Sequence, residues 1–277
     1  MIVIGERINA SRKSIREAIG ARDDEVIRSE IQRQDKAGAD YIDLNAGTGS
    51  GSVDDEKRDL CRLVDIALDA TAKKIVLDAA DPQVIRAAAL HLDGRRDWML
   101  NSIKCEEHAA REGLAVVGEF NVPFIALAMG GEGIPPTVEQ RLTLCESLLS
   151  LMSKENIAPD TVYFDPLVLP VSTDESQPMV TFETIRRIRE NFPSSHCTMG
   201  LSNVSYGLPK RVFVNSAFLL IALGYGLDSV ICDPGNSEIS RALVLGALLT
   251  GQDRFCRKYS RVVRRGVFDT ANKKGVS

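Results

Sequence analysis

Short apolar segments, most of them ending on a polar residue, alternate with stretches of helical periodicity along the whole chain. This rhythm leaves few folds open. Parallel strands need a long crossover, usually a helix, so repeated β-then-α units imply a parallel sheet covered by helices. Residues 1–5 read as a first strand, followed by a polar loop over 6–11, a charged connection and a helix over 25–37. Residues 41–45 form a second strand closed by the glycine-rich turn 46–51, and a helix capped by Asp54 runs to Ala70. Residues 74–77 give a third strand ending on Asp78, and Asp81-Pro82 opens a helix with a cap and a first-turn proline. Residues 98–100 end on Asn101. For the fifth strand, 114–117 and 122–129 compete, and the continuous run 123–129 is preferred because the glycine loop 130–133 and a helix over 138–154 follow it. Residues 162–164 end on Asp165, and a long loop leads to a helix over 181–191. Residues 197–199 form the seventh strand, a helix spans 212–225, and 229–232 end on Asp233 before a last helix to about Leu249.

About eight units make a (β/α)8 TIM barrel the expected fold. A doubly wound open sheet also alternates strand and helix, but no G-x-G-x-x-G follows the first strand. A length of 277 residues suits one such unit. The barrel is expected over 1–251, with 252–277 as a C-terminal basic helix or tail.

Charge and composition exclude several classes. A net charge of -4 speaks against a general nucleic-acid binder, which needs a concentrated basic surface. The basic residues that do cluster, from Arg254 to Lys274, read as a solvated terminal helix or a docking surface. Six cysteines with no C-x-x-C pair and three scattered histidines give no metal pattern and no disulfide framework. No segment reads as a membrane span or signal peptide, so a cytoplasmic location is expected.

A barrel builds its site at the carboxyl ends of its strands. Those ends carry Glu6 and Asn9, Asp43 and Asn45, Asp78, Asn101, Asp165, Ser202 and Asn203, and Asp233. One such residue is commonly a turn or cap residue, but together they line one mouth with carboxylates and carboxamides. Such a lining suits a neutral planar heterocycle with amino and carbonyl edges, because a carboxylate accepts two N–H bonds and an Asn supplies one donor and one acceptor. It does not suit phosphate, and it lacks the nucleophile and base of acyl transfer. From the residues alone, the expectation is a barrel that binds a polar heterocycle.

The segments Ile4-Gly5-Glu6-Arg7-Ile8-Asn9, Asp43-Leu44-Asn45, Asn101-Ser102-Ile103, Gly133-Ile134-Pro135 and Gly200-Leu201-Ser202-Asn203-Val204-Ser205 are similar, in matching order, to the pterin-binding methyltransferase family. This family includes methyltetrahydrofolate:corrinoid protein methyltransferases and the folate module of cobalamin-dependent methionine synthase, and it shares its barrel with dihydropteroate synthase. The resemblance covers roughly residues 1–250. It implies methyl transfer between the N5 position of tetrahydrofolate and the cobalt of a corrinoid, with methyltetrahydrofolate as a substrate. Asp78, Asn101 and Asp165 would hold the amino-pyrimidine edge, Gly200 and Ser202 would shape the pocket floor, and Asn203 would be the catalytic donor at N5. Glu6, Asn9, Asp43, Asn45, Arg211 and Asp233 form a second tier. The chain departs from the family pattern at Gly130-Gly131, where acidic residues are common, and at Tyr206-Gly207.

No Asp-x-His-x-x-Gly motif is present, so the cobalamin is expected on a separate corrinoid protein, and no metal is expected on this chain. The resemblance also implies a homodimer, while charge and hydropathy leave no nucleic acid and no membrane among the expected partners. Two alternatives stay open. One is a dihydropteroate synthase-like enzyme, against which stand the absence of a Ser-Arg-Lys loop after the seventh strand and of Arg-x-His at the last. The other is a non-catalytic folate-binding subunit.

Overall fold

A computed structural model describes residues 1–49 and 51–268. Its helices and strands run in the order β1 (Ile2–Asn9), α1 (Lys13–Ala21), α2 (Asp24–Lys36), β2 (Tyr41–Asn45), α3 (Val53–Ala70), β3 (Lys74–Asp78), α4 (Pro82–Leu92), β4 (Trp98–Lys104), α5 (Glu107–Phe120), β5 (Phe124–Leu127), α6 (Val138–Lys154), β6 (Val162–Asp165), α7 (Gln177–Asn191), β7 (His196–Cys197), α8 (Arg211–Gly224), β8 (Ser229–Cys232), α9 (Ser237–Leu249) and α10 (Arg257–Arg264). All strand pairs are parallel, in the order β7-β6-β5-β4-β3-β2-β1-β8. The ring closes where Gly200 bridges to Ile231 and the Ile231 N–H donates to the Met199 carbonyl at 2.9 Å. The architecture is therefore the expected eight-stranded barrel.

Two hydrophobic cores follow from the period-two alternation of strands. Ile4, Tyr41, Val76, Met99, Ile125 and Tyr163 point inward and fill the barrel. The opposite parity, such as Ile42, Leu44, Ile75, Leu77, Leu100 and Phe124, packs with the helices in the larger core between sheet and outer ring. The inward set ends, two residues further along each strand, on Glu6, Asp43, Asp78, Asn101, Leu127 and Asp165. The polar strand-end residues thus continue the rows that fill the barrel.

Several boundaries differ from the sequence reading. The first strand continues through 6–9, which was expected to be loop, because the register shifts between Gly5 and Ile8. The bulge turns Ile8 outward into the helix-facing core. It leaves the Arg7 N–H off the ladder, and buried Gln34 of α2 accepts that N–H at 3.1 Å. Gly5 makes room, since a Cβ there would lie 2.3 Å from Gln34 Oε1. A second bulge follows Asn101, after which Ile103 also turns outward, and the Asn101-Ser102 peptide is cis. The connection before residue 24 contains α1, whose buried Ile15, Ala18 and Ile19 form a helical stripe among charged residues. α3 is capped by Ser52, not Asp54: Ser52 and Asp55 form a reciprocal capping box. Residues 114–117 lie inside α5, so the 123–129 run is the fifth strand, as preferred. α7 begins at Gln177, four residues early, and β7 is only His196–Cys197.

Candidate functional site

Burial sets the electrostatics at the mouth. Asp43, one layer below the rim, is 2% exposed. Its Oδ1 accepts the Asn101 amide at 3.2 Å, and its carboxyl is pushed far above the ordinary range, first by burial and then by the nearby Asp78 charge. Asp78 is pushed up to about 6 by burial, while hydrogen bonds from Asn45 and from Asp43 oppose the rise. We read the pair as sharing one proton on Asp43, since two buried carboxylates in contact cannot both stay charged. In register, Asn45 lies beside Asp78, and Asp78 beside Asn101, so three strand ends place amide, carboxylate and amide side by side.

Asp165 completes this wall from β6. It is 7% exposed and is pushed up to about 6 by burial, which the N–H groups of Leu167, at 2.8 Å, and Gly200 partly offset. Beneath its loop lies Arg141 of α6, a fully buried arginine to which no sequence pattern points. Its guanidinium donates to the carbonyls of Pro135 (2.9 Å), Pro166 (2.8 Å) and Leu167 (3.2 Å) and to Gln177 Oε1 (2.8 Å). One side chain therefore ties the loops after β5 and β6 to α7. A buried positive charge is tolerated only with such full pairing.

The loop after β7 runs from Asp165 to the first strand. Leu201–Asn203 form a single 3-10 turn, and Ser202 donates its hydroxyl to Glu6 Oε1 at 2.6 Å. Burial raises the Glu6 carboxyl, and the Ser202 bond opposes this. Arg211, at the start of α8, donates to Ser205 Oγ at 3.0 Å and to the Ser202 carbonyl, so it braces the loop. Asn203 is exposed, and among the described residues its side chain makes no hydrogen bond. Its Nδ2 sits where a Cβ on Gly200 would approach to 3.2 Å, so a glycine at 200 lets that amide lie close over the loop.

Several strand-end residues already have partners within the chain. Asp233 accepts from Arg33 at 2.7 Å and lies 3.7 Å from Arg7, and it also takes the Gly235 N–H. It is thereby engaged in fastening β8 to α2. Asn9 and Asn45 each accept a backbone N–H from two residues ahead, Ser11 and Gly47. A cleft of about 320 Å³ opens beside the mouth between Glu6, Ser202, Arg211, Asn215 and Asp233. Another recess of about 390 Å³ lies on the flank of α1 and α3, where Arg22 pairs with Asp59 at 3.2 Å and Arg58 with Asp55. It reaches the loop after β2, at Ala46 and Gly49, and its three arginines balance its three carboxylates. Among the described residues no group of His, Cys, Asp and Glu is arranged to hold a metal ion.

Comparison with known proteins agrees with this chemistry. The sequence model described as "Pterin binding enzyme" matches residues 5–233. The chain is 32% identical over 269 residues to the methylcorrinoid:tetrahydrofolate methyltransferase of Eubacterium limosum, across 96% of this chain and 97% of that protein. It is 30% identical over 245 residues to the methionine synthase of Mycobacterium tuberculosis, across 83% of this chain but only 20% of that protein. Dihydropteroate synthase of Xanthomonas albilineans, solved with 4-aminobenzoic acid, superposes with a TM-score of 0.71 at 17% identity, covering 92% of this chain and 93% of that one. At such identity the likeness speaks for the fold alone.

Proposed function

The chain belongs to the family of pterin binding enzymes, and we propose that it transfers a methyl group between N5 of tetrahydrofolate and the cobalt of a corrinoid carried by a separate protein. The observation that carries this reading is the wall of Asp78, Asn101 and Asp165 at three strand ends, backed by Asp43. Two carboxylates and an amide on one face match the N–H and amino edge of a pterin, and burial strengthens each bond. The likeness to the methylcorrinoid:tetrahydrofolate methyltransferase, which runs the length of both chains, supports the methyl chemistry.

The difficult step is at nitrogen. In the direction from folate to cobalt, the methyl carbon takes an electron pair from cobalt(I), and the pair of the breaking carbon–nitrogen bond returns to N5. That nitrogen is a poor leaving group unless a hydrogen bond meets the new lone pair as it forms and a proton from solvent then neutralises it to the N5–H of tetrahydrofolate. Asn203 is our donor, supported by its exposed and unengaged amide on the loop after β7, whose Gly200 N–H bonds to Asp165 of the acidic wall. An amide donor has no competing protonation state, and its bond strengthens as charge develops. Such a donor contributes about 3 kcal/mol. Microscopic reversibility makes the same contact serve the opposite direction.

Gly200 and Ser202 form the floor in this reading, with Glu6 and Arg211 holding Ser202 in place. Residues 1–251 make the pterin-binding unit, with the basic segment after it as an appendage. A homodimer is supported by the apolar outer stripe of α8, where Phe213 and Ile221 are exposed one above the other. A cytoplasmic location is supported by the six cysteines, all free thiols.

Isotope transfer tests the function. Incubation of the chain with methyl-labelled methyltetrahydrofolate and cob(I)alamin is expected to move label into methylcobalamin. Folate binding without label transfer would instead identify a carrier.

A further inference from the structure

Of the chain's 34 basic and 38 acidic residues, eight basic and two acidic fall in 252–277, so this segment is +6 and the remainder -10. Its described part is not folded back onto that acidic body by ion pairs. Arg254, Arg257, Lys258, Arg261, Arg264 and Arg265 are all exposed, and none has an ion-pair partner among the described residues. Elsewhere on the surface arginines are commonly paired, as Arg86 is with Glu119 at 2.7 Å and Arg186 with Glu190 at 2.6 Å. The basic strip also carries an apolar anchor. Phe255 is 79% exposed, with Arg254 and Arg257 over its ring at 5.9 and 5.5 Å.

Its place in the fold gives the strip a direction. α9 leaves the mouth at its cap Asn236, and α10 runs back along α9, so that the Arg241 guanidinium, in the second turn of α9, donates to the Val267 carbonyl at 3.0 Å. The Arg264 and Arg265 end of the strip therefore lies toward the mouth. We propose that α10 and the turn before it are the docking surface for the corrinoid protein, which meets it with an acidic face. This rests on the methyl-transfer reading above.

Two physical arguments favour an acidic protein over other polyanions. A bounded acidic face can cover an eight-residue helix while another part of the same protein lies over the mouth, whereas an extended nucleic acid or an anionic bilayer would set its charge against the -10 body. An exposed aromatic ringed by guanidinium groups is characteristic of protein interfaces, where Arg and aromatic side chains are enriched. Complementary charge mainly raises the association rate, by about 10 to 1,000 fold, and salt weakens it.

The test uses the full chain and the corrinoid protein isolated from the same cells by its methyl-transfer activity with this enzyme. The triple variant R257E/R261E/R264E is expected to raise KM for the corrinoid protein at least about tenfold at low salt, with kcat retained. R257Q/R261Q/R264Q should give a smaller rise, and transfer to free cobalamin should match the wild type in both. Salt should raise the wild-type KM and leave that of the charge-reversed variant nearly flat. An unchanged KM in both triple variants overturns the proposal. So does charge-dependent wild-type binding to a 30-base-pair DNA or to phosphatidylserine vesicles tighter than to the corrinoid protein. Wild-type chain that fails to methylate free cobalamin would instead defeat the underlying function.

Discussion

The Asn101 amide donates to Asp43 Oδ1 at 3.2 Å, linking β4 to β2 across 58 residues of chain and tying a pocket residue to a carboxyl that does not itself reach the rim. If Asp43 carries the proton shared with Asp78, Asp43→Asn preserves both an acceptor for Asn101 and a donor for Asp78. It should then keep near wild-type folate affinity. Asp43→Ala removes a buried partner from both neighbours and should cost about 1 to 3 kcal/mol. Urea unfolding and a folate titration of both variants check this, and equal losses in the two would remove the proton-sharing account.

Asp78 and Asp165 are each pushed up to about 6 from an ordinary value near 3.8. In that window the folded chain holds protons that the unfolded chain has released. Stability from this source is therefore fully present below about pH 4 and is lost as pH rises through about 6. Asp165→Asn should flatten this part of the urea-midpoint profile between pH 4 and 7. Folate affinity runs the opposite way, because the pterin edge needs ionised acceptors. It should fall about tenfold per pH unit per carboxylate below about pH 6, measured by calorimetry.

Much of this was legible in advance. The strand-end polar residues were visible because alternation places them in the same rows as Ile4, Val76, Met99 and Tyr163, which fill the barrel. The bulges were not visible, since the partner that stabilises the first one, Gln34, lies on another helix and looks like an ordinary polar residue of an amphipathic pattern. α1 was missed because its apolar stripe is only Ile15, Ala18 and Ile19 in a charged segment. Asp233 read as a site residue like its neighbours, and only the fold brings Arg33 to it.

Arg141 was likewise hidden, since a lone arginine on a helix reads as solvent-exposed. Its pairing with three loop carbonyls and Gln177 predicts that Arg141→Ala destabilises the chain by about 3 to 5 kcal/mol. Because those carbonyls belong to the loops beside Asp165, folate affinity should fall as well. Thermal unfolding with and without folate tests both, and a loss under 1 kcal/mol would mean that the loops hold their positions unaided.

Ser202 and Glu6 join the loop after β7 to the first strand at 2.6 Å. Ser202→Ala should loosen that loop and leave Glu6, already raised by burial, higher still. We expect a stability loss of about 1 kcal/mol and a reduced transfer rate, read by urea unfolding and steady-state kinetics. Glu6→Gln keeps an acceptor for the hydroxyl and should be milder on both.

The central claim concerns Asn203, and single-turnover formation of methylcobalamin from methyltetrahydrofolate and cob(I)alamin tests it most directly. Asn203→Ala is expected to fold normally, to bind folate within a few fold of the wild type, and to transfer methyl about 100 fold more slowly. Transfer at the wild-type rate in that variant would contradict the account and leave Asn203 a surface residue of a structural turn.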